Sequence, residues 1–154
     1  MRYKIKINFR SNKVESIYYF LDDKIHRNSG PAELWYGNGK IISKWYYKNG
    51  ELYKEDGPAI IEYHSNGKVE RIKYAKSGKI HKDNGPAAIY FYENGELRGE
   101  YFIINEKYHR KDGPVCISYF KDGSIENKSY YINGIQCDVL QEMVIQGLEM
   151  EKTA

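Results

Sequence analysis

The chain has 154 residues, a net charge of +3 and a mean hydropathy of -0.74. This length favours a single domain, and so mild a charge does not point strongly to nucleic acid, although it permits an acidic partner. Two cysteines, Cys116 and Cys137, do not make a disulfide framework. The stretch from Met1 to Ile7 alternates and has no long apolar run, so no signal peptide or membrane span is expected. We therefore expect a cytoplasmic protein.

Tyrosine is the most informative part of the composition, with 16 copies in the chain. Its ring favours β-strands and combines an apolar body with a polar tip. Together with the negative hydropathy, this predicts a sheet with much hydrated surface rather than a thick buried core.

The first predicted element is a degenerate strand pair over residues 3–23. Its first strand alternates and places Ile5, Ile7 and Phe9 on one face. This strand is expected to form an edge of the sheet, so edge-to-edge pairing into a homodimer is kept as an alternative.

A tandem repeat follows, and the prolines mark it. All four prolines stand in Gly-Pro steps that lie 27, 28 and 28 residues apart, namely at Pro31, Pro58, Pro86 and Pro114. Such regular spacing is the signature of a repeat protein. Each linker is predicted to turn from one strand pair to the next, because Asp or Asn before Gly favours a turn and proline interrupts the ladder.

Each repeat contains two further turn signals. The first is Asn-Gly or Asp-Gly, which favours a type I′ hairpin turn. These pairs are Asn38-Gly39, Asn66-Gly67, Asn94-Gly95 and Asp122-Gly123. The second follows eleven residues later and begins at Asn49, Ser77, Asn105 and Asn133. The first full repeat is one residue shorter before its Asn-Gly pair, and a bulge is expected there.

The strand after each Gly-Pro step alternates, with Ala59, Ile61 and Tyr63 on one face in the second repeat. The strand after each Asn-Gly pair carries two apolar rows five residues apart. These rows are Ile41, Val69, Leu97 and Ile125, then Tyr46, Tyr74, Phe102 and Tyr130. Because five is odd, either both faces of the sheet are partly covered or a bulge restores one face.

The repeat ends after Asn133-Gly134, and a helix is predicted over residues 138–151. Asp138 is a suitable N-cap, with Gln141 three residues further on. The helix is expected to cap the last strand of the array. Its alternative role is docking to a partner or to a second copy of the chain in a homodimer. The sequence thus predicts an all-β, elongated antiparallel β-meander of about five tandem strand pairs (residues 1–137) with a C-terminal capping helix.

The Tyr/Phe-x-x-Asn-Gly units and the His-Arg-x-Asp-Gly-Pro-Ala-type linkers resemble the variant branch of the MORN-repeat family over residues 3–134. The resemblance implies an antiparallel meander that serves as an interaction scaffold. Some members of the family associate with membranes or phosphoinositides, and some bacterial variants are described as antitoxins. The resemblance therefore implies a non-enzymatic protein–protein interaction module. One form of such a module is an antitoxin-like or inhibitor protein that occludes a partner enzyme.

A row of linker residues at equivalent positions is the strongest candidate for chemistry, and it comprises His26, Tyr53, His81 and His109. Equivalent positions in successive strand pairs lie about 9–10 Å apart, whereas metal ligands must all lie about 2 Å from one ion. We therefore expect each histidine to pack against or bond to its own linker. Cys116 is interpreted as a small apolar filler, and no catalytic motif is present. No cofactor, metal site or enzyme activity is predicted.

Aromatic and basic residues are the better candidates for partner binding, because Trp, Tyr and Arg are favoured at binding hot spots. The candidates are Trp35, Trp45, Tyr47, Tyr90, Tyr92, Tyr101, Tyr131, Arg71 and Lys73. A purely structural role as cross-strand aromatic ladders is the alternative.

A second functional hypothesis is the binding of nucleic acid or another anionic surface by the middle repeats, where aromatic and basic residues alternate. The basic residues there are Lys40, Lys44, Lys48, Lys68, Arg71, Lys73 and Lys76. Glu62 and Glu70 interrupt this stretch, which favours a solvated face of mixed charge.

Overall fold

The computed structural model describes residues 1–137, and this part of the chain is all-β with no helix. The predicted helix over 138–151 lies outside the described residues. The strands are β1 (Tyr3–Arg10), β2 (Lys13–Leu21), β3 (Lys24–Ile25), β4 (Glu33–Gly37), β5 (Lys40–Trp45), β6 (Tyr47–Lys48), β7 (Glu51–Leu52), β8 (Ile60–Tyr63), β9 (Val69–Lys73), β10 (Ala75–Lys76), β11 (Lys79–Ile80), β12 (Ala88–Phe91), β13 (Leu97–Tyr101), β14 (Ile103–Ile104), β15 (Lys107–Tyr108), β16 (Cys116–Tyr119), β17 (Ile125–Ile132) and β18 (Ile135–Cys137).

The main sheet follows the order of the described part of the chain, from β1 to β18. Its order is β1-β2-β4-β5-β8-β9-β12-β13-β16-β17-β18, and β3 pairs with β2. All of these neighbours are antiparallel. The short hairpins β6/β7, β10/β11 and β14/β15 form separate two-stranded sheets. The predicted five strand pairs are present, as β1/β2, β4/β5, β8/β9, β12/β13 and β16/β17.

A bulge recurs at the same place in all five pairs. In the β8/β9 pair, Glu62 lies opposite Arg71 and Tyr63 lies opposite Val69, which leaves Glu70 as the extra residue. The bulged residues are Glu15, Ile42, Glu70, Arg98 and Glu126. Each lies between the two apolar rows of its strand, so the extra residue brings both rows to one face. Of the two alternatives for the apolar rows, the structure has the bulge that restores one face, and the bulge expected in the first full repeat is one case of it.

Only one of the four Asn-Gly or Asp-Gly pairs forms the predicted type I′ turn. Asn38 and Gly39 both have positive φ, +51° and +77°. At Asn66, Asn94 and Asp122 the prediction of a type I′ turn is wrong, because only the following glycine has positive φ. The extra residue in these repeats produces a three-residue loop that closes on a left-handed glycine. In the second repeat, for example, the Gly67 N–H donates to the His64 carbonyl at 2.9 Å.

The second turn signal has the two positive φ values of a type I′ turn instead. They occur at Asn49-Gly50, Ser77-Gly78, Asn105-Glu106 and Asn133-Gly134. Both predicted turns of each repeat thus exist, but the type I′ geometry belongs mainly to the second one.

The register divides the strand residues between two faces. One face, here called the repeat face, carries a row consisting of Ile7, Ile17, Leu34, Lys44, Ile61, Ile72, Ile89, Glu100, Ile117 and Lys128. The opposite face, here called the aromatic face, carries two rows. The first is Asn8, Ser16, Trp35, Ser43, Glu62, Arg71, Tyr90, Gly99, Ser118 and Asn127. The second is Lys6, Tyr18, Glu33, Trp45, Ile60, Lys73, Ala88, Tyr101, Cys116 and Ser129.

Four positions without exposed surface lie on the repeat face, directly after each proline, and a fifth, Ser16, lies on the aromatic face. Ala32, Ala59, Ala87 and Val115 have no exposed surface. Each also joins neighbouring strands, as when the Ala59 N–H donates to the Lys73 carbonyl and its own carbonyl accepts from Tyr46, at 2.8 and 2.9 Å.

The linkers fold against the same face through cation–ring contacts. The contacts are Arg27 over Tyr19, Lys54 over Tyr46, Lys82 over Tyr74 and Arg110 over Phe102, at 3.9, 4.2, 3.7 and 4.0 Å from the ring centroids. Contacts of this kind stabilise by about 0.5–1 kcal/mol at exposed sites and more when desolvated. They hold each linker over an aromatic residue that lies within the preceding long strand or directly after it.

Candidate functional site

The linker histidines connect successive repeats. The Nδ1 atoms of His26, His81 and His109 accept hydrogen bonds from the backbone N–H groups of Asn49, Asn105 and Asn133, at 2.9, 3.1 and 3.2 Å. Each acceptor and donor belong to adjacent repeats, about 24 residues apart in the chain. At the remaining junction Tyr53 stands in the histidine position and has no ring nitrogen to offer.

The expected contact of each histidine with its own linker is confirmed for two of the three. Nε2 of His26 lies 2.7 Å from Asn28 Oδ1, and Nε2 of His81 lies 2.8 Å from Asp83 Oδ1. Hydrogen bonds from Lys76 and His81 lower the pKa of Asp83. The spacing of residues in the sequence could not predict the hydrogen bond from each histidine to the next repeat, because that bond depends on the turn type of the next repeat.

Within residues 1–137, no three His, Cys, Asp or Glu side chains lie close enough together to hold a metal ion. Cys116 is half-buried, and burial raises the pKa of its thiol. Since the thiolate is the reactive form, this environment lowers the nucleophilicity of the cysteine.

The aromatic face brings most of the candidate partner-binding residues together. Trp35, Trp45, Arg71, Lys73, Tyr90 and Tyr101 all lie on it, on strands β4, β5, β9, β12 and β13. All six are half-buried. Tyr47 extends the group, because its ring lies nearly parallel to that of Trp45, 6.4 Å between centroids and 8° between planes.

A row of four tyrosines continues the aromatic face toward the C-terminal repeats. The ring centroids are 5.1 Å apart for Tyr90 and Tyr101, 6.3 Å for Tyr101 and Tyr108, and 5.5 Å for Tyr108 and Tyr131. Tyr108 was missed by the sequence analysis. Its signal was that a tyrosine stands where the other repeats have Ile25, Leu52 and Ile80.

Tyr92 is not part of this group. Its hydroxyl donates to the Tyr119 carbonyl of the next repeat at 2.7 Å. His64, which stands at the equivalent position one repeat earlier, places Nε2 2.9 Å from the Phe91 carbonyl oxygen. Both side chains therefore link adjacent hairpins.

Two depressions lie on the aromatic face. The first, here called the tryptophan depression, has a volume of about 540 Å³ and is lined by Glu33, Trp35, Ile42, Ser43, Trp45, Glu62, Tyr63, Glu70 and Arg71. The second, here called the tyrosine depression, has a volume of about 340 Å³ and is lined by Lys73, Ile80, Ala88, Tyr90, Tyr101, Ile103, Glu106 and Tyr108. Together they span the middle repeats of the array.

The tryptophan side chains are fixed by hydrogen bonds along their own strands. Trp35 Nε1 donates to Glu33 Oε1 at 2.5 Å, and Trp45 Nε1 donates to Ser43 Oγ at 2.6 Å. Arg71 forms an ion pair with Glu62 beside them. The indole N–H groups are thus satisfied within the protein.

Burial and negative charge act on the tyrosines of this face. Burial, with smaller contributions from Glu33 and Tyr18, raises the pKa of Tyr47 to about 12. Burial also raises the pKa values of Tyr101 and Tyr108. These hydroxyls are therefore neutral donors across the physiological pH range.

The basic residues of the middle repeats are divided among several surroundings. Arg71 and Lys73 lie on the aromatic face, whereas Lys44 lies on the repeat face over the ring of Tyr63, 5.2 Å from its centroid. Lys76 forms an ion pair with Asp83 at 2.7 Å. The predicted basic stretch is therefore not one continuous surface.

The two faces differ in how far the four full repeats share the same residue types at equivalent positions. On the repeat face, five equivalent positions carry the same kind of residue in all four full repeats, and the last of them is the second apolar row. They are Ala32, Ala59, Ala87 and Val115; Leu34, Ile61, Ile89 and Ile117; Tyr36, Tyr63, Phe91 and Tyr119; Ile41, Val69, Leu97 and Ile125; and Tyr46, Tyr74, Phe102 and Tyr130. One repeat-face position does vary, with Lys44, Ile72, Glu100 and Lys128.

No position in the two rows of the aromatic face keeps its residue type. The sets are Glu33, Ile60, Ala88 and Cys116; Trp35, Glu62, Tyr90 and Ser118; Ser43, Arg71, Gly99 and Asn127; and Trp45, Lys73, Tyr101 and Ser129. The variation is thus concentrated on one side of the sheet.

Comparison with known families agrees with this architecture. The family model described as MORN repeat variant matches residues 29–49, 41–56 and 87–105. The predicted MORN-repeat-like character of the chain is confirmed, and repeats of this family are generally protein- or membrane-binding modules. No curated protein and no solved structure matches the chain significantly. Within the described residues, no helix has the length and apolar character needed to cross a membrane.

Proposed function

We propose that the chain is a non-enzymatic protein–protein interaction module that docks its partner on the aromatic face. The observation that carries this proposal is the contrast between the faces. Neighbour contacts must stack one repeat on the next, so the stacking positions are held to one residue type. Stacking does not constrain the residue types of the aromatic face, so they can vary from repeat to repeat. Such variation is expected of a surface that is adapted to one particular partner.

The size and composition of the aromatic face support this proposal. From Trp35 on β4 to Tyr101 on β13 there are five strand spacings, or about 24 Å. That is the scale of a standard interface, which buries about 800 Å² on each partner. Trp, Tyr and Arg are the residue types enriched among binding hot spots, and the two depressions offer pockets for partner side chains.

A concrete form of this function is that of an antitoxin-like or inhibitor protein that occludes a partner enzyme. A rigid array presents its surface without a large ordering cost on binding, which favours tight association. The family resemblance supports this form, and the partner enzyme is part of the proposal.

The test begins with affinity capture of the tagged chain from its native lysate after nuclease treatment. The captured protein is then purified and titrated calorimetrically against the parent chain, Trp45→Ala and Tyr101→Ala. Each variant should weaken binding by about tenfold or more, as hot-spot truncations do. Thermal unfolding of both variants should stay cooperative, because both side chains are only half-buried.

Phe120→Ala is the matched control, since Phe120 is an exposed aromatic residue in a turn, with 49% of its surface accessible. Undiminished affinity of Trp45→Ala and Tyr101→Ala for the captured protein would show that docking uses another surface.

A second candidate function is the binding of single-stranded nucleic acid. The observation in its favour is that Arg71 and Lys73 share the aromatic face with Tyr90 and Tyr101, because aromatic platforms beside basic groups stack unpaired bases. This function predicts capture that is lost on nuclease treatment and an affinity that falls steeply with salt. Protein docking through aromatic residues predicts a weak salt dependence.

A further inference from the structure

We propose that the tryptophan depression receives a cationic side chain, arginine in preference to lysine, from the docked protein. This inference rests on the proposed function and specifies the chemistry of the partner at one point of the interface. Three independent features of the depression lead to it.

The first feature is the position of the two indole rings. Trp35 lies opposite Ser43, and Trp45 lies two residues further along the same strand. Such diagonal positions are about 7–8 Å apart. Both indole rings line the tryptophan depression, and a flat group can contact ring surfaces of this kind.

The second feature is the distribution of cations over the aromatic rings. Among the described residues there are nine cation–ring contacts, and every one of them uses a tyrosine or phenylalanine. Tryptophan is the best acceptor for such contacts. The two strongest acceptors of the chain are therefore the rings over which residues 1–137 place no cation.

The third feature is the charge of the lining. Three glutamates, Glu33, Glu62 and Glu70, line the depression together with one arginine. Arg71 is paired with Glu62, so the charges of Glu33 and Glu70 remain in excess. The influence of Glu33 is also visible at Tyr47, where its charge adds to burial in raising the pKa.

These features also exclude an anionic occupant. The indole N–H groups donate to Glu33 and Ser43, so they are not available to a carboxylate or phosphate. The excess negative charge would repel such groups. An arginine guanidinium is planar, stacks on aromatic rings and forms bidentate bonds with carboxylates, whereas a lysine ammonium is a compact and strongly hydrated point charge. Arginine is thus the better match.

The chain offers a direct test, because its only two tryptophans both line the depression. Indole fluorescence and the two indole N–H signals in a ¹⁵N-correlation spectrum therefore report on this site alone. The probes are four Gly-Ser peptides that carry two arginines, two lysines, two norleucines or two glutamates. The arginine peptide should bind saturably and shift both indole signals, the lysine peptide should bind more weakly, and the other two should produce no shift.

Glu33→Gln and Glu70→Gln should each weaken binding of the arginine peptide by about three- to tenfold, which corresponds to the strength of a partly exposed cation contact. Glu33→Gln keeps an oxygen that accepts from Trp35, so it changes the charge without releasing the ring. The matched control is Glu126→Gln, because Glu126 occupies the same bulge position as Glu70 in the last repeat and does not line the depression.

The outcomes separate this inference from the proposed function. If the captured partner is weakened by Trp45→Ala but not by Glu33→Gln or Glu70→Gln, docking on the aromatic face stands and the cationic contact is wrong. If the arginine peptide binds but Trp45→Ala does not weaken binding of the captured partner, the proposal that the partner docks on the aromatic face is wrong. The proposal that the cation comes from that partner is then wrong too. Indole shifts caused by the glutamate peptide or by single-stranded DNA would overturn the inference directly.

Discussion

The repeat face and the aromatic face are formed by the same strands, yet only the repeat face shows the 28-residue period in its side chains. On the repeat face, Ala59 and Ala87 are both fully buried, and their carbonyl groups accept from the backbone N–H groups of Tyr46 and Tyr74. Linkers lie against the same side of the sheet. On the aromatic face, the positions of Trp35 and Trp45 are taken by Glu62 and Lys73 one repeat later. The 28-residue period therefore identifies the positions whose residue type is constrained by the stacking of repeats. On the aromatic face, where the period is absent, stacking does not fix the residue type.

The bulge explains how one short strand can serve both purposes. It adds a residue between the two apolar rows and thereby keeps both on the repeat face. The bulged residues themselves vary, with Ile42, Glu70 and Arg98 at one equivalent position. Ile42 and Glu70 line the tryptophan depression, so the device that maintains the repeat face also contributes variable groups to the aromatic face.

The largest expected effect comes from enlarging a side chain on the repeat face. Ala87→Leu inserts three carbon atoms at a site with no exposed surface. Overpacking of a filled site costs about 1–3 kcal/mol and sometimes more. Chemical denaturation should therefore show a free energy of unfolding about 2–3 kcal/mol lower than that of the parent chain.

Ser118→Leu is the matched control, because Ser118 lies on the aromatic face in the middle of β16 and is half-exposed. It should change the free energy of unfolding by no more than about 0.5 kcal/mol, as surface substitutions usually do. Equal losses in the two variants would contradict the division of the sheet into a constrained and an unconstrained face.

A smaller effect is expected from the bonds that join adjacent repeats. His81 is only 7% exposed, and it accepts from the Asn105 N–H of the next repeat. His81→Ala leaves that backbone N–H without its acceptor, which costs about 1–3 kcal/mol. The affinity for a partner on the aromatic face should stay unchanged, and both quantities are measured on the same preparation.

Asp83→Ala separates the two bonds of this histidine. Asp83 contacts Nε2 of His81 and is 62% exposed, so its removal should destabilise the chain less than His81→Ala does. A loss as large as that of His81→Ala would show that the bond within the linker, rather than the bond between repeats, holds the histidine in place.

The repeat, the strand pairs and the candidate aromatic residues could be predicted from the sequence, because they depend on spacing and alternation. The turn geometry at Asn66 could not, since one additional residue changes a two-residue loop into a three-residue loop that the dipeptide alone does not distinguish. The grouping of Trp35 with Trp45, and the separation of Tyr92 from both, depends on which face each side chain occupies. That assignment required the position of the bulges, which the sequence left as one of two alternatives.

The effect of pH on the aromatic face is the smallest and the most local. The pKa of Tyr47 is raised to about 12 in the folded chain, whereas an unfolded tyrosine titrates near 10. The contribution of Tyr47 to stability is therefore fully present below about pH 10 and is lost as the pH rises toward 12. In denaturation curves at pH 9, 10 and 11, Tyr47→Phe should lose stability less steeply than the parent chain, because phenylalanine cannot ionise.

Glu33→Gln should lower the pKa of Tyr47, since it removes a neighbouring negative charge, and ultraviolet difference titration against Tyr47→Phe measures that shift. An unchanged pKa in Glu33→Gln would mean that burial and Tyr18 set the value without Glu33. The charge of Glu33 would then not reach the ring of Tyr47, and the negative character assigned to the tryptophan depression would lose one of its supports.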